Sequence, residues 1–193
     1  MKVLAINSSA RKNGNTAILI NRIFEELNKE GIETEMIQFA GQIMEPCKAC
    51  WNCRGKKNCI HHKDNFREIF DKMKEADGII LGSPVYMANM SANMQAFLER
   101  ASVVTDMNRG EGLLRHKAGA AITAARRGGA VNALDAMNHF FLLQEMFVVG
   151  SCYWSMAYGQ IPGDDQNDEE GLNTMSVLAR NMIFLLKALK ERR

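Results

Sequence analysis

Four cysteines fall within thirteen residues, in the run Cys47-Lys48-Ala49-Cys50-Trp51-Asn52-Cys53-Arg54-Gly55-Lys56-Lys57-Asn58-Cys59. The spacing is C-x2-C-x2-C-x5-C. Two intervening residues let successive thiolates curl around one compact centre, and the third cysteine closes most of a shell. Gly55 leaves the chain free to turn back, so that Cys59 reaches the same centre. Three closely spaced ligands followed by a fourth is the kind of pattern that holds an iron–sulfur cluster. Zinc sites more often divide their ligands between two separated pairs. Clustered thiols without a metal tend to oxidise, which leaves disulfides or redox thiols as a third reading. The expectation is one [4Fe–4S] cluster on Cys47, Cys50, Cys53 and Cys59, with zinc as the alternative.

The neighbours of these cysteines each carry two readings. Lys48, Arg54, Lys56 and Lys57 raise the potential of an anionic cluster and attract an acidic protein donor, or they form a solvated basic loop. Trp51 shields the cluster from solvent or anchors the loop to the core. With four thiolates present, His61 and His62 are read as loop residues, not ligands. Cys152 stands alone and is expected as a small buried apolar residue.

A second set of residues suits a phosphate and a flat ring. Asn7-Ser8-Ser9-Ala10-Arg11-Lys12-Asn13-Gly14-Asn15-Thr16 follows an apolar β-run and leads directly into a helix-period segment. Ser9, Asn13, Gly14, Asn15 and Thr16 offer hydroxyls and backbone N–H groups where the helix dipole is positive, and Arg11 adds a charge. The Gly-Lys-Ser/Thr ending of a Walker A loop is absent, and no G-x-G-x-x-G fingerprint occurs. The plainer alternative is a turn in which Asn13 or Asn15 caps the helix. A second loop, Gly82 to Ser91, is apolar and flat-sided. Its Pro84, Val85, Tyr86, Met87 and Asn89 supply an aromatic face, a thioether and free amides, as a tricyclic aromatic ring requires. For Tyr86 and Met87 the alternative is ordinary loop packing. A third loop, Thr123 to Gly129, brings Ala125, Arg126, Arg127 and Gly128 to the same edge.

These loops need a scaffold that gathers them. Apolar β-runs at 2–6, 32–39, 78–82, 118–124 and 146–150 alternate with helix-period stripes. The stripes are Ile20-Ile23-Phe24-Leu27, Phe66-Ile69-Phe70-Met73, Met94-Phe97-Leu98-Ala101, Leu134-Met137-Phe140-Phe141 and Leu178-Met182-Leu185-Leu186-Leu189, and Gly31 stops the first helix. Five such repeats predict a doubly wound α/β fold, a five-stranded parallel sheet of order 2-1-3-4-5 with helices on both faces. Ligands of such a sheet sit at the carboxyl ends of its strands, beside the switch point. The expectation is one domain over residues 1–193, carrying a Cys-rich loop at about 44–62. Longer irregular segments fall at 40–64, 105–117 and 151–170. Asp164, Asp165, Asp168, Glu169 and Glu170 in the last of these are read as a solvated surface or helix start. Most of the 13 methionines are read as core and interface filler.

Composition excludes several classes. At 193 residues, with 47% hydrophobic and 24% charged residues, the chain is of ordinary globular make-up. A net charge of +2 makes no case for nucleic acid or a membrane surface. Four of the 5 cysteines sit together, unlike a secreted disulfide framework. The opening apolar run is too short for a signal peptide, and no stretch reaches transmembrane length. A soluble cytoplasmic protein is expected.

Taken together, the motifs resemble those of the iron–sulfur flavoprotein branch of the flavodoxin-like, NAD(P)H-dependent FMN reductase superfamily. That family's first loop, approximately G-S-P-R-x-x-G-N-T, is matched at Ser9, Arg11, Gly14, Asn15 and Thr16, with departures at Ser8 and Ala10. Its S-P-V-Y…S signature is present at Ser83, Pro84, Val85, Tyr86 and Ser91, and its cysteine motif at Cys47, Cys50, Cys53 and Cys59. The resemblance implies FMN, with its phosphate in the first loop and its isoalloxazine on the second and third. It also implies a homo-oligomer, dimer or tetramer, in which a cluster approaches the flavin of a neighbouring subunit. The 105–117 segment and the Met-rich helices are candidates for that interface. The expected function is electron transfer between a [4Fe–4S] cluster and FMN, with a ferredoxin-type protein or NAD(P)H as donor. One alternative is an FMN-dependent NAD(P)H reductase of quinones, nitro compounds or flavin, with zinc or no metal at the cysteines. The other is a non-enzymatic flavin redox sensor.

Overall fold

Strand β1 (Lys2–Asn7) is apolar on both faces because it lies in the middle of a sheet covered on both sides. Its Val3 and Ala5 pack against helices α1 (Asn15–Lys29) and α5 (Glu169–Lys190), while Leu4 and Ile6 face the opposite layer. That opposite layer is built from α2 (Phe66–Glu75), α3 (Ala92–Asp106) and α4 (Ala130–Leu143). The computed structural model describes residues 1–61 and 63–191. His62 therefore lies outside the described residues.

The remaining strands are β2 (Glu33–Gln38), β3 (Gly78–Pro84), β4 (Ala118–Ala125), β5 (Phe147–Val148) and β6 (Met156–Tyr158). The order is β2-β1-β3-β4-β5, every pairing is parallel, and β6 also pairs with β4. This is the flavodoxin-like arrangement that strand–helix alternation predicts. The first helix ends as expected, with Gly31 in the left-handed region at φ 69°. All five helical stripes turn inward, although Leu185 and Leu189 are only half-buried.

The fifth strand departs from expectation. Instead of one run over 146–150, two short strands share that place beside β4. Phe147 and Val148 pair with Ala118 and Gly119, and Met156 to Tyr158 pair with Thr123 to Ala125. Between them the backbone leaves the ladder and is held by α5. Asn181 Nδ2 donates to the Gly150 carbonyl at 2.9 Å, and Ser151 Oγ donates to the Thr174 carbonyl at 2.6 Å. Backbone groups that find partners on the helix no longer require the sheet. Cys152 rides on this excursion and is exposed, which corrects the expectation of a buried residue.

Candidate functional site

The loop after β1 turns at the carboxyl edge of the sheet because its own polar groups fold it. The Ser9 amide donates to Asn7 Oδ1 at 3.0 Å, and the Arg11 amide donates to Ser9 Oγ at 3.1 Å. From β2, Gln38 Nε2 donates to the carbonyls of Arg11 and Lys12 at 3.2 and 3.0 Å. Gln38 thus ties the loop's acceptors to one side. Helix α1 then opens on Gly14, which occupies the capping position without a side chain to accept from the first turn. Asn15 is the first helical residue, as the plainer alternative had it, but neither Asn13 nor Asn15 supplies a side-chain cap. No acidic residue lies in that first turn, and Thr16, buried within it, has an Oγ1 with no hydrogen-bond partner among the described residues. An uncapped helix start with an orphaned buried hydroxyl is suited to an anion.

The loop after β3 contains a tight hairpin. Tyr86 and Asn89 exchange both backbone hydrogen bonds at 2.9 Å, with Met87 and Ala88 at φ 49° and 56° between them. That is a two-residue turn with both central residues left-handed, a conformation that costs non-glycine residues about 1 kcal/mol each. It lifts Tyr86 to 51% and Met87 to 99% exposure. The third loop reaches the hairpin through Gly129, at φ 85°, where an added Cβ would meet Ala88 Cα at 2.8 Å.

Nine of the predicted residues line one cleft: Ser9, Arg11, Gly14, Asn15, Thr16, Pro84, Val85, Tyr86 and Arg126. Asn13, Met87, Asn89, Ala125, Arg127 and Gly128 do not line it. Ala124 takes part where Ala125 was expected, and Gly159 and Gln160 complete the wall. The lining holds two arginines and no carboxylate, and among the described residues neither Arg11 nor Arg126 forms an ion pair.

Gly159 and Gln160 follow β6, and the acidic segment behind them holds them in place. Asp164 accepts from the amides of Gln160 and Ile161 at 2.8 and 2.9 Å, which keeps its carboxyl below the usual range. Asp168 caps α5 by accepting from the Gly171 amide at 2.9 Å. Asn15 Oδ1 accepts from the Gly163 amide at 2.8 Å, clasping this segment to the first loop. Asp165, expected in solvent, is fully buried, and both of its carboxylate oxygens lack a hydrogen-bond partner among the described residues. Burial, then the negative charges of Asp168 and Asp164, push its pKa up to about 7.

The four clustered cysteines line a different pocket, together with Pro46, Lys48, Trp51, His61, Asp64 and Arg100. Ala49, Trp51, Gly55 and Lys57 all have positive φ. Left-handed residues at these positions let the backbone turn tightly enough to bring the four cysteines to one pocket. The Ala49 amide donates to Cys47 Sγ at 3.4 Å, and Cys50 Sγ lies 3.4 Å from His61 Nε2. Burial, followed by the neighbouring cysteines, raises the Cys53 thiol, against its own backbone hydrogen bond. Among the described residues, no three His, Cys, Asp or Glu side chains are gathered as a ready site for a single metal ion. Trp51 is 62% exposed, so it does not anchor the loop to the core.

A parallel sheet of this order, with a cationic cleft at its carboxyl edge, defines a flavodoxin-like protein. Residues 1–160 match the family described as NADPH-dependent FMN reductase. An iron-sulfur flavoprotein of Methanocaldococcus jannaschii is 37% identical over 198 residues, covering 99% of this chain and 100% of that protein. Another, of Methanosarcina thermophila, is 31% identical over 196 residues, covering 100% and 99%. Among solved structures, RosB with bound 8-demethyl-8-formylriboflavin-5'-phosphate aligns with a TM-score of 0.76 at 19% identity, covering 99% of this chain and 81% of that one. A flavodoxin from the domain Archaea aligns at 0.61 and 16%, covering 97% and 99%. At such identities the structural likenesses speak for the fold. The chain belongs to the NADPH-dependent FMN reductase family and, within it, to the iron–sulfur flavoproteins. It is an FMN-dependent oxidoreductase or electron-transfer flavoprotein. Among the described residues, no helix is long and apolar enough to cross a membrane.

Proposed function

We propose that this chain couples one [4Fe–4S] cluster, held by Cys47, Cys50, Cys53 and Cys59, to FMN held in the cleft at the sheet edge. The observation that carries the proposal is that all four cysteines of the run line a single pocket. The relatives described as iron-sulfur flavoproteins support a cluster over zinc at these cysteines.

In the cleft, the α1 N-terminus with Ser9, Gly14, Asn15 and Thr16 would hold the phosphate, and Arg11 and Arg126 would balance its charge. Pro84, Val85 and Tyr86 would face the ring. Asn13, Met87, Asn89, Ala125, Arg127 and Gly128 stand close in sequence to these walls, and they would contribute where the loops close on the ligand. Held in these two places, the groups would supply single-electron chemistry at the cluster and two-electron chemistry at the flavin. The protein's part is to place the phosphate, present one ring face and hold the four thiolates around one pocket. No separate nicotinamide domain is needed if a nicotinamide stacks on the open ring face. A ferredoxin-type donor meeting the exposed Arg54, Lys56 and Lys57 is the other route in.

The cysteine pocket and the cleft share no lining residue. We therefore favour a homo-oligomer, a dimer or tetramer of one-domain subunits, in which a cluster serves a neighbour's flavin. A second reading rests on the Cys50–His61 contact, which offers the mixed sulfur and nitrogen donors zinc accepts. In that case the protein is an FMN-dependent NAD(P)H reductase with zinc or no metal there. Iron, acid-labile sulfide, zinc and FMN measured on anaerobically prepared protein separate the two. Iron and sulfide beside FMN support the proposal, and zinc without iron overturns it.

A further inference from the structure

Behind the cysteines stands a charged residue that the sequence does not advertise. Arg100 rises from the buried face of α3, only 3% exposed, and lines the same pocket as the four thiols. Its position is fixed from three sides. Nη1 donates to the Glu45 carbonyl at 3.2 Å and to Asp64 Oδ2 in a short ion pair. The guanidinium lies 4.1 Å from the centroid of the Phe66 ring. Asp64, also buried, is held in turn by the amides of Glu45 at 2.8 Å and Phe66 at 3.3 Å. Arg100 Nη2 is buried and has no acceptor among the described residues. A charged donor left unpaired in the interior is costly, and Nη1 beside it is bonded to both Glu45 and Asp64. The unmatched N–H groups belong to a cation, and the cavity beside them is lined by four sulfur ligands.

We propose that Arg100 tunes the cluster held at these cysteines, its unpaired Nη2 donating to a cluster or thiolate sulfur. This inference rests on the cluster reading above. Reduction adds one electron, and so one negative charge, to a site already made anionic by four thiolates. A fixed cation with an N–H aimed at sulfur stabilises the reduced form more than the oxidised form, which raises the reduction potential. Asp64, engaged on the Nη1 side, offsets much of the net charge and leaves the Nη2 N–H dipole as the group that acts on the sulfur.

The test uses full-length protein, reconstituted anaerobically and poised by mediated electrochemical titration with spectroscopic readout of the cluster. Arg100→Lys keeps a cation beside Asp64 but loses the fork that spans both partners. The pair Arg100→Met with Asp64→Asn removes both buried charges, so neither is left unpaired. Both variants are expected to retain FMN at the wild-type ratio. Each should disfavour cluster reduction about tenfold, a fall of about 59 mV for one electron. Lys48→Met removes an exposed cation from the same pocket and is expected to move the potential less. Unchanged potentials in the two Arg100 variants overturn the inference, as does an equal fall in Lys48→Met. Wild-type protein that takes up no iron overturns the cluster reading and this inference with it. Wild-type protein with a cluster, and variants at its potential, overturn this inference alone.

Discussion

Replacing Asp165 with Asn should change how the protein's stability responds to pH. Asp165 is fully buried, has no hydrogen-bond partner among the described residues and is flanked by Asp168 and Asp164, so its pKa rises from the ordinary 3.8 to about 7. Because the folded state holds this proton more tightly than the unfolded chain, its contribution is fully present below about pH 4. It is lost as pH rises through about 7. The displacement corresponds to roughly 4 kcal/mol between those limits. Glu26, Glu35, Glu145 and Asp164 are all shifted downward, so they titrate below this window, and the raised Cys53 titrates above it. The amide of Asp165→Asn introduces a buried donor that costs about 1–3 kcal/mol at every pH. The offset between the two proteins is therefore uninformative, and its slope is the observable. Urea denaturation of both proteins, freed of FMN, at several values between about pH 5 and pH 8 gives that slope. The variant should gain roughly 2–4 kcal/mol relative to wild type across the range. A difference that stays constant with pH would refute the reasoning.

Gly159→Ala would drive a methyl group into the Asp165 carboxylate, to 2.5 Å from Asn15 Nδ2 and to 2.8 Å from Asp164 Cβ. It should lose about 1–3 kcal/mol of stability in urea melts, and FMN affinity should fall with it; wild-type values for both would contradict the packing described. Arg11→Ala with Thr16→Ala removes one charge and one orphaned hydroxyl, and should weaken FMN binding roughly a hundredfold in fluorescence titrations. Unchanged affinity, or stoichiometric FAD in purified protein, would count against the phosphate site. Serine at Cys47, Cys50, Cys53 or Cys59 should abolish iron binding and leave FMN bound, whereas Cys152→Ser should keep both; iron lost from Cys152→Ser would move the metal site. Light scattering at micromolar concentration should give at least a dimer, and a monomer would defeat the intersubunit route for electrons.

Local patterns carried much of this architecture. Buried strands at β1, β3 and β4 and inward stripes on the helices follow from runs and periods that a sequence displays directly. The loops after β1 and β3 were legible for the same reason, since each lies immediately between a strand and a helix. What stayed hidden depends on distant partners. The split of the fifth strand follows from hydrogen bonds that Gly150 and Ser151 make to α5, which no local pattern announces. Gly159 and Gln160 join the cleft because Asn15 accepts from the Gly163 amide, far along the chain. Asp165 reads as one solvated acid among several, and only the docking of its turn beneath the first loop buries it. No motif or stripe in the sequence singles out Arg100, whose burial depends on Asp64 and Phe66 from a distant segment. Trp51 and Cys152 mislead in the other direction. Their types favour burial, but left-handed backbone at Trp51 and the excursion around Cys152 turn both outward.

Whether the protein holds both centres and passes electrons between one subunit's cluster and its neighbour's flavin is tested by counting electrons. Anaerobic reductive titration, followed by absorbance, compares iron-reconstituted wild type with its Cys50→Ser variant at equal FMN content. Wild type should take up one electron more per chain than the variant, and after rapid mixing with substoichiometric reductant the electron should redistribute between cluster and flavin. Equal electron uptake by the two proteins, or no redistribution in wild type, would contradict the account.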